Sequence, residues 1–163
     1  MVEIHPTAII YDNVTILGDN VYIGPYCIIG APAESRSEWG NPGCGVIIAE
    51  NVILHGHNTI DAGTKINTMI GNNTFIMKGV HIGHDAQIME GVTIAPHAVI
   101  GGHAIIRERT NMGMGAIIHQ RCQVPKDCMI GMGTIITKKT DLKANGVYVG
   151  SPAKWIRENN WKK

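Results

Sequence analysis

The sequence predicts an all-β solenoid, a parallel β-helix wound from six-residue units. Two observations lead there. An aliphatic residue or methionine recurs at every sixth position from Ile70 to Ile136, through Ile76, Ile82, Ile88, Ile94, Ile100, Ile106, Met112, Ile118, Val124 and Ile130. The fourth residue after each anchor is small or β-branched, from Thr74, Val80 and Ala86 to Cys128, Thr134 and Thr140. A third observation agrees: glycine makes up 20 of 163 residues and aromatic residues only 5%, so the core has to be filled by aliphatic layers and the chain is free to turn tightly.

Neither a helical period of 3.6 nor a plain alternation of two accounts for this spacing. A short strand followed by a tight corner does, once per hexad. Three hexads close a triangular coil of 18 residues, with the large anchor inside and the small residue near the corner. Each coil stacks on the next through parallel backbone hydrogen bonds. The same clock runs earlier through Ile4 and Ile10, then Leu17, Ile23 and Ile29, with one residue inserted between Ile10 and Leu17. It resumes at Ile48, Leu54, Ile60 and Ile66, then takes a four-residue step to Ile70. Residues 31–45 carry no clock, and their Gly, Pro and Ser content reads as a loop that leaves the solenoid and returns. About seven coils over residues 1–150 result. Residues 151–163 break the pattern and predict a short C-terminal helical cap. Ser151 sits at its N-cap, Pro152 at its first turn, and Trp155 and Ile156 cover the last coil or a neighbouring subunit.

The charge excludes some partners. Lys+Arg is 14 against Asp+Glu 13, a net charge of +1 with no basic block, which gives no case for nucleic acid. No apolar run approaches the ~20 residues of a transmembrane segment. The opening MVEIHPTAII has no signal-peptide character, and Cys27, Cys44, Cys122 and Cys128 match no zinc-knuckle spacing. The expectation is a cytoplasmic protein with reduced thiols.

Hexads 18 residues apart superpose, so His84, His103 and His119 fall on one wall in three successive coils. Asp85 follows His84, His81 lies at the corner leading into that wall, and His97 is elsewhere. Stacked histidines beside an aspartate suit general-base chemistry or a metal site equally, with an inert surface as the third reading. A solenoid wall is flat, and ligand sites are concave. A cleft therefore arises where two stacks meet, which predicts an oligomer.

The hexads, together with His5-Pro6-Thr7-Ala8, Ile23-Gly24-Pro25-Tyr26-Cys27, His81-Ile82-Gly83-His84-Asp85, Gly102-His103 and His119-Gln120-Arg121-Cys122, resemble the hexapeptide-repeat acyltransferases. The similarity is strongest to the UDP-N-acetylglucosamine 3-O-acyltransferases of lipid A synthesis, without their C-terminal helical domain. The resemblance implies a single-stranded left-handed β-helix; the left hand comes from it alone, since crossovers are ordinarily right-handed. It implies a homotrimer that moves an acyl group from a CoA or acyl-carrier-protein thioester, a co-substrate rather than a bound cofactor, to an amino sugar or nucleotide sugar. His84 is then the general base and Asp85 its support. Asp61, His81, Gly102, His103, His119, Gln120 and Met132 contact acceptor or donor, with the Gly102 backbone at the developing oxyanion and Met132 limiting the acyl chain. No metal is implied.

Departures leave alternatives. Ser35 and Ser37 stand where that family has acidic and lysine contacts, Arg121 replaces an aromatic residue, and Asp61 is closer to the related N-acyltransferase of the pathway. Val147-Tyr148-Val149-Gly150-Ser151-Pro152-Ala153-Lys154 resembles the tails of small acetyl-CoA-dependent sugar O- or N-acetyltransferases. A zinc carbonic anhydrase-like hydratase is a further alternative, disfavoured because Gly83-His84 leads to Met89 where a histidine is required. A non-catalytic β-helix scaffold is the last.

Overall fold

A computed structural model describes residues 1–41 and 43–160. The chain winds as a left-handed parallel β-helix of about eight coils. Its three flat walls are parallel sheets. Wall A carries strands such as Phe75–Ile76, Thr93–Ile94 and Asn111–Met112. Wall B carries Thr59–Asp61, His81–Ile82, Val99–Ile100 and Ile117–Ile118. Wall C carries Thr68–Ile70, Gln87–Ile88 and Ile105–Ile106. Register follows the clock, with His81 opposite Val99 and Ile82 opposite Ile100.

The physical cause is simple. A two-residue strand exposes one side chain and buries the next, so a single aliphatic residue per hexad feeds the core. Ile70, Ile76, Ile82, Ile88, Ile94, Ile100, Ile106, Val124, Ile130 and Ile136 are fully buried, and Met112 and Ile118 almost so. Each buried aliphatic side chain of this size is worth roughly 1.5–3 kcal/mol. The corners are made by single residues in the left-handed region, among them Asp85, His103 and Arg121 at φ 61°, 58° and 62°. Buried corner threonines are satisfied locally, as where the Thr110 hydroxyl donates to the Pro125 carbonyl at 2.9 Å.

Four expectations change. Leu17 is not an anchor: it is 68% exposed, and Ile16 points inward in register with Ile48 and Ile70. The inserted residue therefore sits after Ile16, at the corner between walls C and A. Ile66 is likewise outside, 52% exposed, because residues between Thr59–Asp61 and Thr68–Ile70 form an enlarged corner. The stack is about eight coils deep rather than seven, because Gly146–Val149 adds a further strand to wall A with Tyr148 as its buried anchor.

The fourth change concerns the end of the chain. Among the described residues no C-terminal helix forms. Lys154–Glu158 is a strand that turns back antiparallel on Gly146–Val149. Ser151 and Pro152 make the turn of this hairpin instead of a helix start. The last coil offers unpaired backbone groups of Gly146–Val149, and a strand satisfies them where a helix would not. The hairpin thus replaces the helix in capping the solenoid, and Trp155 and Ile156 remain exposed. Residues 161–163 of the expected helix lie outside the described residues.

Candidate active site

Two interruptions of the clock, the 31–45 excursion and the enlarged corner before Thr68, lie on one edge, the corner between walls B and C. The chain leaves wall B at Ala31 and reaches wall C at Val46, and the enlarged corner of residues 62–67 lies one coil further on. His84 and Asp85 occupy the next corner of the same edge, His103 the one after, and Gln120 and Arg121 the one after that.

Asp85 is buried. Its Oδ2 accepts from the Thr64 hydroxyl at 2.8 Å and the Thr64 N–H at 3.0 Å. Its Oδ1 accepts from the N–H groups of Lys65 at 2.7 Å and Ile66 at 2.9 Å. His84 Nδ1 lies 2.6 Å from Oδ2, and His103 Nε2 lies 3.7 Å from the same atom. Burial pushes the carboxyl group up, but the Ile66 N–H, His84 and the Thr64 and Lys65 N–H groups outweigh it and hold Asp85 well below the usual carboxylate range. An ionised Asp85 only accepts, so His84 donates through Nδ1 and leaves Nε2 as its free basic nitrogen. His84 and His103 meet edge to face, with ring centroids 5.1 Å apart. Burial lowers the pKa of His103 against the pull of Asp85, and the charges of Arg121 and Lys65 add to the lowering.

Ligand atoms of His84, Asp85 and His103 lie within 4.8 Å of one another, a grouping that could hold a metal ion. The carboxylate already receives four hydrogen bonds from residues 64–66 in addition to His84, so its lone pairs are committed. The arrangement suits proton transfer better than coordination.

The other expected residues divide. Gly102 faces His84 directly: a Cβ there would lie 2.7 Å from His84 Nε2. His81 lies on the outward face of wall B rather than at a corner, with Nδ1 2.8 Å from the Thr59 hydroxyl and Nε2 4.0 Å from Asp61 Oδ2. Asp61 is 5% exposed. Burial raises its pKa, the Glu34 charge adds to this, and His81 opposes it. His119 and Gln120 are exposed on the same edge, and His119 Nδ1 meets the Gln120 carbonyl at 3.0 Å. Met132 is not brought to this edge. It lies 69% exposed at the corner between walls A and B, one coil beyond Met114. Sequence reasoning missed Thr64, whose signal was the four-residue slip between Ile66 and Ile70.

A profile of the bacterial transferase hexapeptide family (six repeats) matches residues 67–102, the segment that contains His81, His84 and Asp85. Over that segment the chain is similar to the bacterial transferase hexapeptide family. Among curated proteins, an acyl-[acyl-carrier-protein]–UDP-N-acetylglucosamine O-acyltransferase of Rickettsia typhi is 37% identical over 82 residues, 48% of this chain and 31% of the relative. The Rickettsia canadensis protein of the same name is 32% identical over 123 residues, 52% of this chain and 46% of the relative. The matched stretches thus span about a third to a half of the curated relatives. Among solved structures, the UDP-N-acetylglucosamine O-acyltransferase of Moraxella catarrhalis superposes with a TM-score of 0.78 at 26% identity, covering 96% of this chain and 75% of that one. The Bacteroides fragilis UDP-N-acetylglucosamine acyltransferase gives 0.82 at 25% identity, covering 97% and 73%. The family match lies in the central coils and does not involve residues 151–160.

Proposed function

We propose that this chain is an acyltransferase that moves an acyl group from a phosphopantetheine thioester, on CoA or an acyl carrier protein, to an amino sugar or nucleotide sugar. The observation that carries the reading is the His84–Asp85 pair, 2.6 Å apart and facing Gly102. His84 Nε2 takes the proton from the acceptor hydroxyl or amine as that atom attacks the thioester carbonyl. A tetrahedral oxyanion forms, the C–S bond breaks, and the proton passes to the leaving thiolate. Backbone N–H groups beside Gly102 are the candidates to stabilise the oxyanion. His81, Asp61, His103, His119 and Gln120 supply polar contacts for the reactants, and holding both in place provides much of the remaining rate gain.

The walls of a single stack are flat and ligand sites are concave, so the reading includes a homotrimer whose grooves lie between subunits. The outward column of wall B supports it, with Val99 and Ile117 exposed between the His84 corner and the Met132 corner. Among the described residues no helix is long and apolar enough to cross a membrane. Four free cysteines suit a reducing compartment, and the cytoplasm is where we place the enzyme.

Free-thiol release tests the proposal, using acetyl, medium-chain and carrier-protein thioesters with a panel of amino sugars and nucleotide sugars. Turnover that falls about 100-fold or more in His84→Ala supports it. Turnover that is absent with every donor, or equal in the variant, overturns it. A monomer by light scattering at active concentrations overturns the shared groove.

A further inference from the structure

We propose that Thr64 is a positioning residue, and that the turn at residues 64–66 is a carboxylate cradle that sets the His84–Asp85 pair. The clause on turnover below rests on the acyl-transfer reading; the cradle itself does not.

A regular corner on this edge needs four residues, as Gly83–Ala86 and Gly101–Ala104 show. The corner between Asp61 and Thr68 is longer, and the surplus is not a surface decoration. It folds over the next coil and aims three consecutive N–H groups and one hydroxyl at a single buried carboxylate. Successive N–H groups converging on one anion form a nest. The Asp85 N–H in turn donates to the Thr68 hydroxyl at 2.8 Å, so the aspartate is held from both ends.

Thr64 differs from its neighbours in the cradle. Lys65 and Ile66 contribute backbone alone and bind Oδ1. Thr64 binds Oδ2, the oxygen that faces both His84 and His103, and does so with its hydroxyl as well as its N–H. It therefore fixes the oxygen on which the tautomer of His84 depends. The turn is also tied to the 31–45 excursion. Lys65 Nζ meets Glu38 Oε1 at 3.3 Å, the Cys44 N–H donates to the Gly63 carbonyl at 2.7 Å, and the Gly45 N–H donates to Asn67 Oδ1 at 2.7 Å. The two interruptions on this edge thus support one carboxylate.

The test compares Thr64→Val, which keeps the shape and loses the hydroxyl, with Thr64→Ser, which keeps the hydroxyl. Nitrogen-15 NMR of the imidazoles reads the His84 tautomer without any substrate. The Nδ1–H form should dominate in the unmodified protein and in Thr64→Ser, and should lose ground to Nε2–H in Thr64→Val. With substrate, kcat should fall about tenfold in Thr64→Val with KM within about twofold, and Thr64→Ser should restore it. A fall in Tm with tautomer and kcat unchanged makes Thr64 merely structural and overturns the proposal. Should Thr64→Val fail to fold, proton NMR of the unmodified protein decides. A slowly exchanging Thr64 hydroxyl with a cross-peak to the His84 Nδ1 proton supports the cradle, and its absence overturns it. A tautomer shift in a protein that turns over no thioester upholds the cradle while sinking the acyl-transfer reading.

Discussion

The Gly102 backbone packs against the His84 ring so closely that a Cβ would lie 2.7 Å from Nε2 and 3.0 Å from both Cδ2 and Cε1. His84 cannot swing aside without leaving Asp85, which it meets at 2.6 Å. Any side chain at position 102 therefore competes with the hydrogen bond that orients the base.

Gly102→Ala should accordingly lower kcat by about 100-fold, the scale expected when a reacting group is displaced by about 1 Å. The fold should survive, since Gly102 has no left-handed backbone requirement. Steady-state kinetics beside a thermal melt check this. Unchanged kcat would show that His84 is not held where the reaction needs it.

Asp85 gives a stability signature with a definite sign. Its folded pKa lies below the unfolded value of about 3.9, so its ionised form stabilises the fold above that pH, and the contribution is lost as pH falls through the folded value. Asp85→Asn should therefore lower Tm by a constant amount between about pH 5 and 7, with the gap closing only below about pH 4. The amide also brings an NH2 group toward the donors of residues 64–66, which deepens the loss. Melts across that range, in which the variant matched the unmodified chain at pH 7, would refute the account.

Asp61 has the opposite sign. Burial lifts its pKa, so the fold favours the neutral form; that benefit is complete below about pH 3.9 and disappears as pH rises through the raised value. Asp61→Asn should raise Tm at pH 7 and leave it unchanged below about pH 4. It should also raise KM for the acceptor, because a carboxylate kept buried at a cost to stability is one that a reactant uses. A variant that is less stable at pH 7 would show Asp61 to be a net structural ion pair with His81.

The coil architecture was legible because every hexad repeats the same physical instruction, a buried aliphatic residue and a small corner. The stacking of His84 and His103 on one wall, with Asp85 beside His84, followed from that register, whereas the support of His84 by Asp85 came from the family resemblance. What the clock could not show was the phase at its interruptions. Leu17 and Ile66 are apolar and fit a six-residue count, but Ile16 and Ile70 are the residues in register with Ile48, and pairing decides which one enters the core. The C-terminal segment was read from local helix signals at Ser151 and Pro152. The unpaired backbone of Gly146–Val149 overrode them, a demand invisible until the last coil is in place. Thr64 was hidden for the same reason: its partner Asp85 lies 21 positions away and is reached only because the intervening corner is enlarged.

Met132 gives the last prediction, and its position sharpens what is at stake. It projects from the corner between walls A and B, whereas His84 lies at the corner between B and C, so within one subunit wall B separates them. It can limit an acyl chain bound near His84 only if a neighbouring subunit brings its own A–B corner into the groove. Met114, exposed one coil below, would line the same groove. Met132→Gly should then raise relative kcat/KM for thioesters a few methylenes longer, by about fourfold for each methylene newly buried at about 0.8 kcal/mol. Because Met132 is exposed in the single chain, its removal leaves no cavity there, and a stability change alone would mark it as a packing residue of the interface. A donor series measured beside melts and light scattering separates the two. An unchanged chain-length profile in an intact trimer would remove Met132 from the donor site, as would an unmodified enzyme that already prefers its longest carrier-protein thioester.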